Sequence, residues 1–186
     1  MKKIVFTLAV LTLATPLLLA QERDVVVETN FFDPSTWLLG HFEEERFKEP
    51  PHDSWYLSGF AAYKPEEDVA ERVKRLVNKE ISVLIVSGTW CGDTRREVPR
   101  FMKLAELTGI ESDSVRHLGV DLNRVAPVGN YEELNILRIP TFIIYRNNVE
   151  IGRIIEYPEE SLERDLLKIL SEEKKVIQSI NDHGER

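Results

Sequence analysis

The pattern of apolar and polar residues becomes regular from about residue 65 onward. After Pro65, apolar residues recur every three or four positions, which predicts a helix with one buried face. Residues 81–86 form an apolar, β-branched run, typical of a strand that is buried on both faces. Residues 91–107 return to helical spacing, interrupted by Pro99. The first of these helices would bury Val69, Val73, Leu76 and Val77.

The C-terminal half continues the alternation of strands and helices. Residues 115–120 predict a strand, residues 131–134 a short helix, and residues 141–145 and 150–155 two further strands. Asn147 and Asn148 suit the tight turn of a hairpin between the last two strands. This order predicts an α/β fold with a mixed central sheet flanked by helices. A last helix begins near Pro158 and Ser161, with Leu162, Leu166, Leu167, Ile169 and Leu170 facing inward.

Residues 21–60 have no comparable regularity, and we expect them to form an N-terminal extension of a domain that spans residues 61–186. Val25–Val27 predict a short strand. Asp33 as a cap and Pro34 in the first turn predict the start of a helix, which Pro50 and Pro51 would end. The aromatic residues that follow are expected to pack on the domain: Trp55, Tyr56, Phe60 and Tyr63.

The first twenty residues differ from the rest of the chain. Lys2 and Lys3 precede an apolar stretch that ends at Ala20, and polar residues follow at once. This pattern predicts a secretory signal peptide over residues 1–20, cleaved after Ala20, and hence a periplasmic or secreted protein without further membrane contact. The alternative is an uncleaved anchor, because the stretch approaches the roughly 17-residue lower limit for spanning a bilayer. Pro16 and the small residue at the end favour cleavage.

Charge narrows the range of partners. The chain carries 24 Lys and Arg against 32 Asp and Glu, and losing Lys2 and Lys3 with the signal peptide would take its net charge from −8 to −10. An acidic surface of this size repels phosphates, which argues against nucleic acid. No nucleotide-binding or metal-binding motif is present, and the four histidines lack ligand spacing, so we expect no cofactor and no metal. They are His41, His52, His117 and His183.

Cys91 is the only cysteine, and it lies in the segment GTWCGDT (residues 88–94) between a predicted strand and a predicted helix. Unpaired N–H groups and the helix dipole stabilise a thiolate at such a helix start. A lone cysteine is also often a buried structural residue. A strand-to-helix turn is usually exposed, which favours a reactive thiol. One cysteine cannot form a disulfide within the chain.

The residues around Cys91 resemble the active-site turn of the thioredoxin superfamily. Trp90–Gly92 follow a buried strand and start a helix, and Pro99 matches the proline that kinks the family's active-site helix. Ile139–Thr141 resemble the family's cis-proline loop, and Gly152–Arg153 lie in the expected last strand. The resemblance covers about residues 65–175. It implies a thioredoxin-like fold and thiol–disulfide chemistry.

The chain departs from the family pattern at three positions. Thr94 replaces the second, resolving cysteine, and Asp93 replaces the proline before it. Ile85 stands where the family has a buried acid that serves the resolving cysteine. A single chain therefore lacks the ordinary dithiol cycle. The resemblance is closest to exported single-domain thioredoxin-like proteins with a W-C-G-D-[ST] turn.

The resemblance implies a role for each residue of the turn and the proline loop. Cys91 is the candidate nucleophile, and Pro140 would leave a strand edge open to an extended partner chain. The Thr94 hydroxyl would either donate to the thiolate or bond to the backbone. Glu156 is a candidate proton carrier, although a surface carboxylate is the simpler interpretation. The expected substrate-binding residues are Trp90, Gly92, Asp93, Ile139 and Thr141, with Arg95 and Arg96 either offsetting Asp93 or solvated.

Three functions remain open from the sequence. The first is a monothiol thiol–disulfide oxidoreductase in which Cys91 forms a mixed disulfide with a protein client and a small external thiol releases it. The second is a non-catalytic module that binds disulfide-containing or extended clients in the cis-proline groove. The third is a thiol that reacts with oxidants through a sulfenic acid, but the chain lacks a threonine-rich peroxidatic motif.

Overall fold

A computed structural model describes residues 29–172, so the predictions for the signal peptide and for Val25–Val27 lie outside the described residues. Five strands form one mixed sheet in the order β1-β3-β2-β4-β5. The parallel pair is β2 with β3, and every other neighbouring pair is antiparallel. The strands are β1 (Gly40–Phe42), β2 (Ile81–Ser87), β3 (Val115–Gly119), β4 (Thr141–Arg146) and β5 (Val149–Ile155).

Four helices accompany the sheet within the described residues: α1 (Asp53–Ala62), α2 (Glu67–Lys74), α3 (Gly92–Thr108) and α4 (residues 162–172). Short 3₁₀ turns cover Pro34–Thr36, Glu44–Lys48, Ser112–Ser114 and Tyr131–Leu134. The prediction of an α/β fold with a mixed sheet and flanking helices is confirmed. Asn147 and Asn148 both have positive φ, as a two-residue hairpin turn between β4 and β5 requires.

The central strand β2 is buried on both faces because each face supports its own cluster. Val83 and Ile85 belong to the larger core with the helices, whereas Leu84 and Val86 pack on the opposite side with Leu118. Ile85 is fully buried in that larger core. The apolar run of the sequence thus reflects a strand without a solvent-facing side.

Residues 29–62 contribute a strand to the sheet and side chains to its core. Strand β1 pairs antiparallel with β3, with Gly40 opposite Gly119. Helix α1 packs on α3 at a close approach, since a Cβ added at Gly59 would lie 2.8 Å from Pro99 Cγ. The predicted division between residues 60 and 61 falls within α1.

An aromatic cluster fastens this segment to the sheet. Its centre is Phe47, which is fully buried and has five rings within 6.4 Å of its own ring centre. Tyr56 belongs to the larger core, and Trp55, Phe60 and Tyr63 pack against it, as expected. The sequence had not assigned α1 or β1. We define the aromatic cluster as Phe42, Phe47, His52, Trp55, Tyr56 and His117.

Two predicted helices are shorter than their sequence patterns. Asp33 does cap a turn by accepting a hydrogen bond from the Ser35 N–H, but this turn is a single 3₁₀ stretch that ends at Thr36. Helix α2 ends at Lys74, so Leu76 and Val77 follow it and pack against the core from a loop. No helix in residues 29–172 is long and apolar enough to span a membrane.

Candidate active site

Cys91 lies at the junction between β2 and α3, where it is the N-cap residue of the helix. Its N–H donates to the Gly88 carbonyl at 2.9 Å, and its own carbonyl accepts from the Arg95 N–H. The thiol is partly exposed, and its Sγ lies 3.8 Å from the Ile139 carbonyl oxygen. The junction therefore holds the sulfur beside the proline loop, at the surface, and next to the free N–H groups of the first helical turn.

Thr94 is fully buried one turn behind Cys91. Its Oγ1 accepts a hydrogen bond from the Gly88 N–H at 3.4 Å, so the hydroxyl oxygen serves the backbone of the turn. Of the two roles open in the sequence, the contact observed is the backbone one. A side chain at position 94 points into the protein, and incoming molecules meet Cys91 first.

Trp90 and Ile139 form the apolar surroundings of the thiol. The Trp90 indole N–H donates to the Val120 carbonyl at 3.1 Å, which fixes the ring against the end of β3. Ile139 is buried, and it packs in the same cluster as Trp90 and Cys91. Gly88 makes this packing possible, because a Cβ there would lie 2.6 Å from Trp90 Nε1 and 2.9 Å from Ile139 Cδ1.

The loop before β4 presents backbone groups to this site. The Ile139–Pro140 bond is cis, and the Pro140 carbonyl accepts from the Glu156 N–H at 2.6 Å. Thr141 is buried, and its hydroxyl donates to the Arg138 carbonyl, so its side chain supports the loop from within. Glu156 forms an ion pair with Arg138 at 2.6 Å, so its carboxylate lies next to the residue that precedes Ile139 and Pro140.

Asp93, Arg96, Glu97 and Arg100, near the start of α3, are paired with one another. Arg96 contacts Asp93 at 2.7 Å and the buried Glu97 at 2.6 Å, and Arg100 contacts Glu97 at 3.3 Å. Glu97 and Asp93 together raise the pKa of Arg96, with the hydrogen bond to Glu97 as the main cause. Asp93 therefore has its charge offset by Arg96, one of the two arginines considered for that role. Gly92, beside it, faces open space.

Arg95 is held differently, by the segment that precedes β1. Its guanidinium lies 4.5 Å above the centre of the Phe31 ring and donates one hydrogen bond to the Thr89 carbonyl at 2.9 Å. The Thr89 hydroxyl in turn donates to the Thr36 carbonyl at 3.2 Å. Burial lowers the pKa of Arg95, and the nearby Cys91 thiol acts against that shift. Arg95 is thus clamped beside the thiol rather than solvated.

The structure brings together most of the predicted site residues. Cys91, Trp90 and Ile139 are in one cluster, with Pro140 adjacent in the chain. The side chains of Thr94 and Thr141 are buried behind this surface, so in this conformation they support it from below. Sequence reasoning missed Gly88, Thr89 and Phe31. A glycine before Trp90 was a usable signal for the first, but nothing in the sequence linked Phe31 to a turn sixty residues away.

Comparison with known proteins agrees with this geometry. A family model described as thioredoxin matches residues 53–168, which is more than half of the chain. The chain belongs to this family. A Dictyostelium discoideum protein named as thioredoxin-5 is 29% identical over 108 residues, covering 58% of this chain and 99% of that protein. Thioredoxin H2 of Arabidopsis thaliana is 29% identical over 94 residues, covering 49% and 66% of the two chains.

A solved structure supports the fold alone. An HIV epitope scaffold is 15% identical, has a TM-score of 0.50, and covers 76% of this chain and 93% of its own. The thioredoxin-like fold is therefore shown by the family match together with the observed sheet order. The position that follows W-C-G-D in this chain remains a buried threonine.

Proposed function

We propose that this protein is a monothiol thiol–disulfide oxidoreductase that works through Cys91. The observation that carries the proposal is the pairing of a partly exposed Cys91 at the start of α3 with a fully buried Thr94 behind it. The first residue supplies a nucleophile that external disulfides can reach. The second leaves no sulfur in the chain that could release it.

The chemistry consists of three thiol–disulfide exchanges. The Cys91 thiolate attacks a client disulfide R–S–S–R′, forming the Cys91–S–S–R bond and releasing R′–S⁻. An external thiolate R″–S⁻ then attacks the Cys91 sulfur of this mixed disulfide, forming Cys91–S–S–R″ and releasing the client as R–S⁻. A second R″–S⁻ attacks this adduct, forming R″–S–S–R″ and regenerating the Cys91 thiolate. The client disulfide thus ends as two thiolates, and the external thiol makes the attack that a second cysteine would otherwise make.

The partners follow from the same site. A disulfide-containing client would lie along the proline loop, where the Ile139 carbonyl oxygen is 3.8 Å from Cys91 Sγ.

The predicted signal peptide would deliver the protein to the periplasm or outside the cell, where disulfides persist. Mass determination of the protein isolated from expressing cells tests this step. We expect the mature chain to begin at Gln21; an intact N-terminal Met1 in the membrane fraction would indicate an anchor instead.

A direct test uses the single cysteine. The folded protein is mixed with a peptide disulfide and then quenched with acid, and the adduct is measured by mass spectrometry. Since Cys91 is the only cysteine, every disulfide adduct reports on it, and Cys91→Ser provides the blank. We expect an adduct under native conditions and its loss on addition of a small thiol. An adduct that forms only in denaturant would contradict the proposal that Cys91 is an enzymatic nucleophile.

A second function is favoured by exposed apolar residues next to the proline loop and β5. Leu137 is 74% exposed and Tyr157 is 57% exposed. These residues lie two positions before Ile139 and two after Ile155, which pairs with Thr141. Such side chains would hold an extended apolar client without covalent chemistry. Binding of a reduced, unfolded client that is equal in the native and Cys91→Ser proteins would support this module.

A further inference from the structure

Arg95 differs from the other arginines near Cys91 in the way its charge is satisfied. Arg96, Arg100 and Arg138 each form an ion pair with a carboxylate. No carboxylate of residues 29–172 forms such a pair with Arg95, whose guanidinium instead contacts the Phe31 ring and the Thr89 carbonyl. A guanidinium has five N–H donors, so one bond to a carbonyl leaves it able to form a two-pronged contact with a carboxylate.

The Arg95 guanidinium is held in place at both ends of the side chain, by the helix backbone at one end and by neighbouring groups at the other. Arg95 is four residues after Cys91, and on a helix such residues are neighbours, with Cβ atoms about 5–6 Å apart. At the far end, Phe31 and Thr89 hold the guanidinium, while Asp93 nearby is offset by Arg96. Within the part of the chain that the structure describes, the surface beside the thiol therefore carries one positive charge without an ion pair, that of Arg95, on a protein whose net charge is −8.

We propose that Arg95 is a specificity-determining residue that selects a low-molecular-weight thiol bearing a carboxylate as the exchange partner of Cys91. This inference rests on the proposed monothiol function, because a chain without a resolving cysteine depends on a thiol from solution. When such a thiol forms a disulfide with Cys91, its carboxylate lies within reach of the Arg95 guanidinium. The Cys91–S–S–R species of that thiol is then favoured over one formed by a neutral thiol.

The test compares three thiols of similar size and different charge: 3-mercaptopropionate, 2-mercaptoethanol and cysteamine. The folded protein is equilibrated with each thiol and its own disulfide at a fixed ratio, and the fraction of Cys91 in mixed disulfide is measured by mass spectrometry. We expect the exchange constant to fall in the order carboxylate, hydroxyl, amine. Each step should be about fivefold, the effect of one partly exposed charge contact.

Variants identify the residue responsible. In Arg95→Gln the three exchange constants should converge, whereas Arg95→Lys should keep part of the preference because it keeps the charge. Arg100→Gln is the matched control: it makes the same change in net charge on the same helix, at a residue paired with Glu97, and should preserve the order. An unchanged preference in Arg95→Gln, or its equal loss in Arg100→Gln, would overturn the assignment.

Two further outcomes are distinguishable. If Arg95→Gln does not fold, the preference of the native protein is measured at rising salt. A preference that shrinks as the Debye length falls from about 10 Å to 3 Å supports a charge contact, and one that persists opposes it. If Cys91 forms no mixed disulfide with any of the three compounds, the monothiol function itself fails. Equal mixed-disulfide formation with all three leaves that function intact and refutes only the role of Arg95.

Discussion

The turn that carries Cys91 and the aromatic cluster near β1 are held together by different forces. In the turn, polar groups fix the backbone: Gly88 bonds to both Cys91 and Thr94, and Trp90 bonds to the end of β3. In the cluster, rings pack around Phe47, and among residues 29–172 neither ring nitrogen of the buried His117 has a hydrogen-bond partner. The turn is therefore sensitive to changes in polar atoms, and the cluster to changes in volume and protonation.

The largest expected effect comes from removing the centre of the aromatic cluster. Phe47→Ala should lower the free energy of unfolding by about 3–5 kcal/mol, because Phe47 is fully buried and its loss leaves a cavity. Urea unfolding measures this change. Leu57→Ala, at an exposed position of α1, should change it by less than about 0.5 kcal/mol.

The same variant sharpens the contrast between the two regions. Under native conditions the folded Phe47→Ala protein should form mixed disulfides at Cys91 at the native rate, because the polar contacts of the turn do not involve Phe47. A loss of Cys91 reactivity in step with the loss of stability would show that the two regions are not separate.

The contrast also explains what the sequence could predict. Strands β2, β4 and β5 and helix α3 were predicted to within one or two residues. Strands β2 and β4 are largely buried and leave apolar runs, α3 leaves a long one-faced helical period, and the Asn147–Asn148 turn fixes the start of β5. Strand β1 has only three residues, and α1 has apolar residues all around its axis, so neither has a clear period. Their places are set by contacts with residues far away in the chain, such as Gly119 and Pro99.

The candidate site divides in the same way. Cys91, Trp90 and the proline loop were predicted because their local motifs resemble a family pattern. The surroundings of Arg95 were not predicted, because the sequence next to an arginine does not show whether its guanidinium is solvated or stacked on a ring. Only the fold brings Phe31 and Thr36 to the turn.

The next largest effect on the free energy of unfolding should come from acidification, acting on the aromatic cluster. Burial lowers the pKa of His117 to about 4, despite the opposing influence of Glu44 and Glu45, whereas an unfolded histidine titrates near about 6.5. Above pH 6.5 the residue is neutral in both states and contributes no pH dependence. As the pH falls from about 6.5 to about 4, only the unfolded chain binds the proton. Stability should decline by about 3 kcal/mol from this residue.

A comparison of variants isolates this contribution from the protonation of carboxylates. His117→Leu removes the two ring nitrogens, and its free energy of unfolding should change less between pH 7 and pH 4 than that of the native protein. Some acid sensitivity should remain, because burial also lowers the pKa of His52. Identical pH profiles for the native and His117→Leu proteins would mean that His117 does not stay neutral in the folded state.

A smaller effect is expected from the polar contacts of the turn. Thr94→Val keeps the shape of the side chain but leaves the Gly88 N–H without its acceptor. The hydrogen bond is long at 3.4 Å, so its loss should cost about 1 kcal/mol, the lower end of the range for an unpaired buried donor. Urea unfolding checks the stability, and alkylation of Cys91 checks the turn. A stability equal to or above the native value would mean that this contact does not hold the turn.

The smallest change in stability and the clearest change in chemistry should come from Thr94→Cys. A sulfur fits a site that already holds a hydroxyl and a methyl group, and it remains a weak acceptor for the Gly88 N–H, so we expect a cost below about 1 kcal/mol. Side-chain origins (Cβ atoms) three residues apart on a helix lie about 5–6 Å apart, which approaches the Cα range of about 4.4–6.8 Å that a disulfide tolerates. The variant should therefore release its own mixed disulfide by forming a bond between Cys91 and the new cysteine.

This release should be slow, because the buried Ile85 offers no proton acceptor. In a single turnover of the reduced protein with a model protein disulfide, and without added thiol, the variant should release the fully reduced client, whereas the native protein should stop at the mixed disulfide. Equal inactivity of both folded proteins would show that Cys91 is not a working nucleophile and would leave client binding as the function.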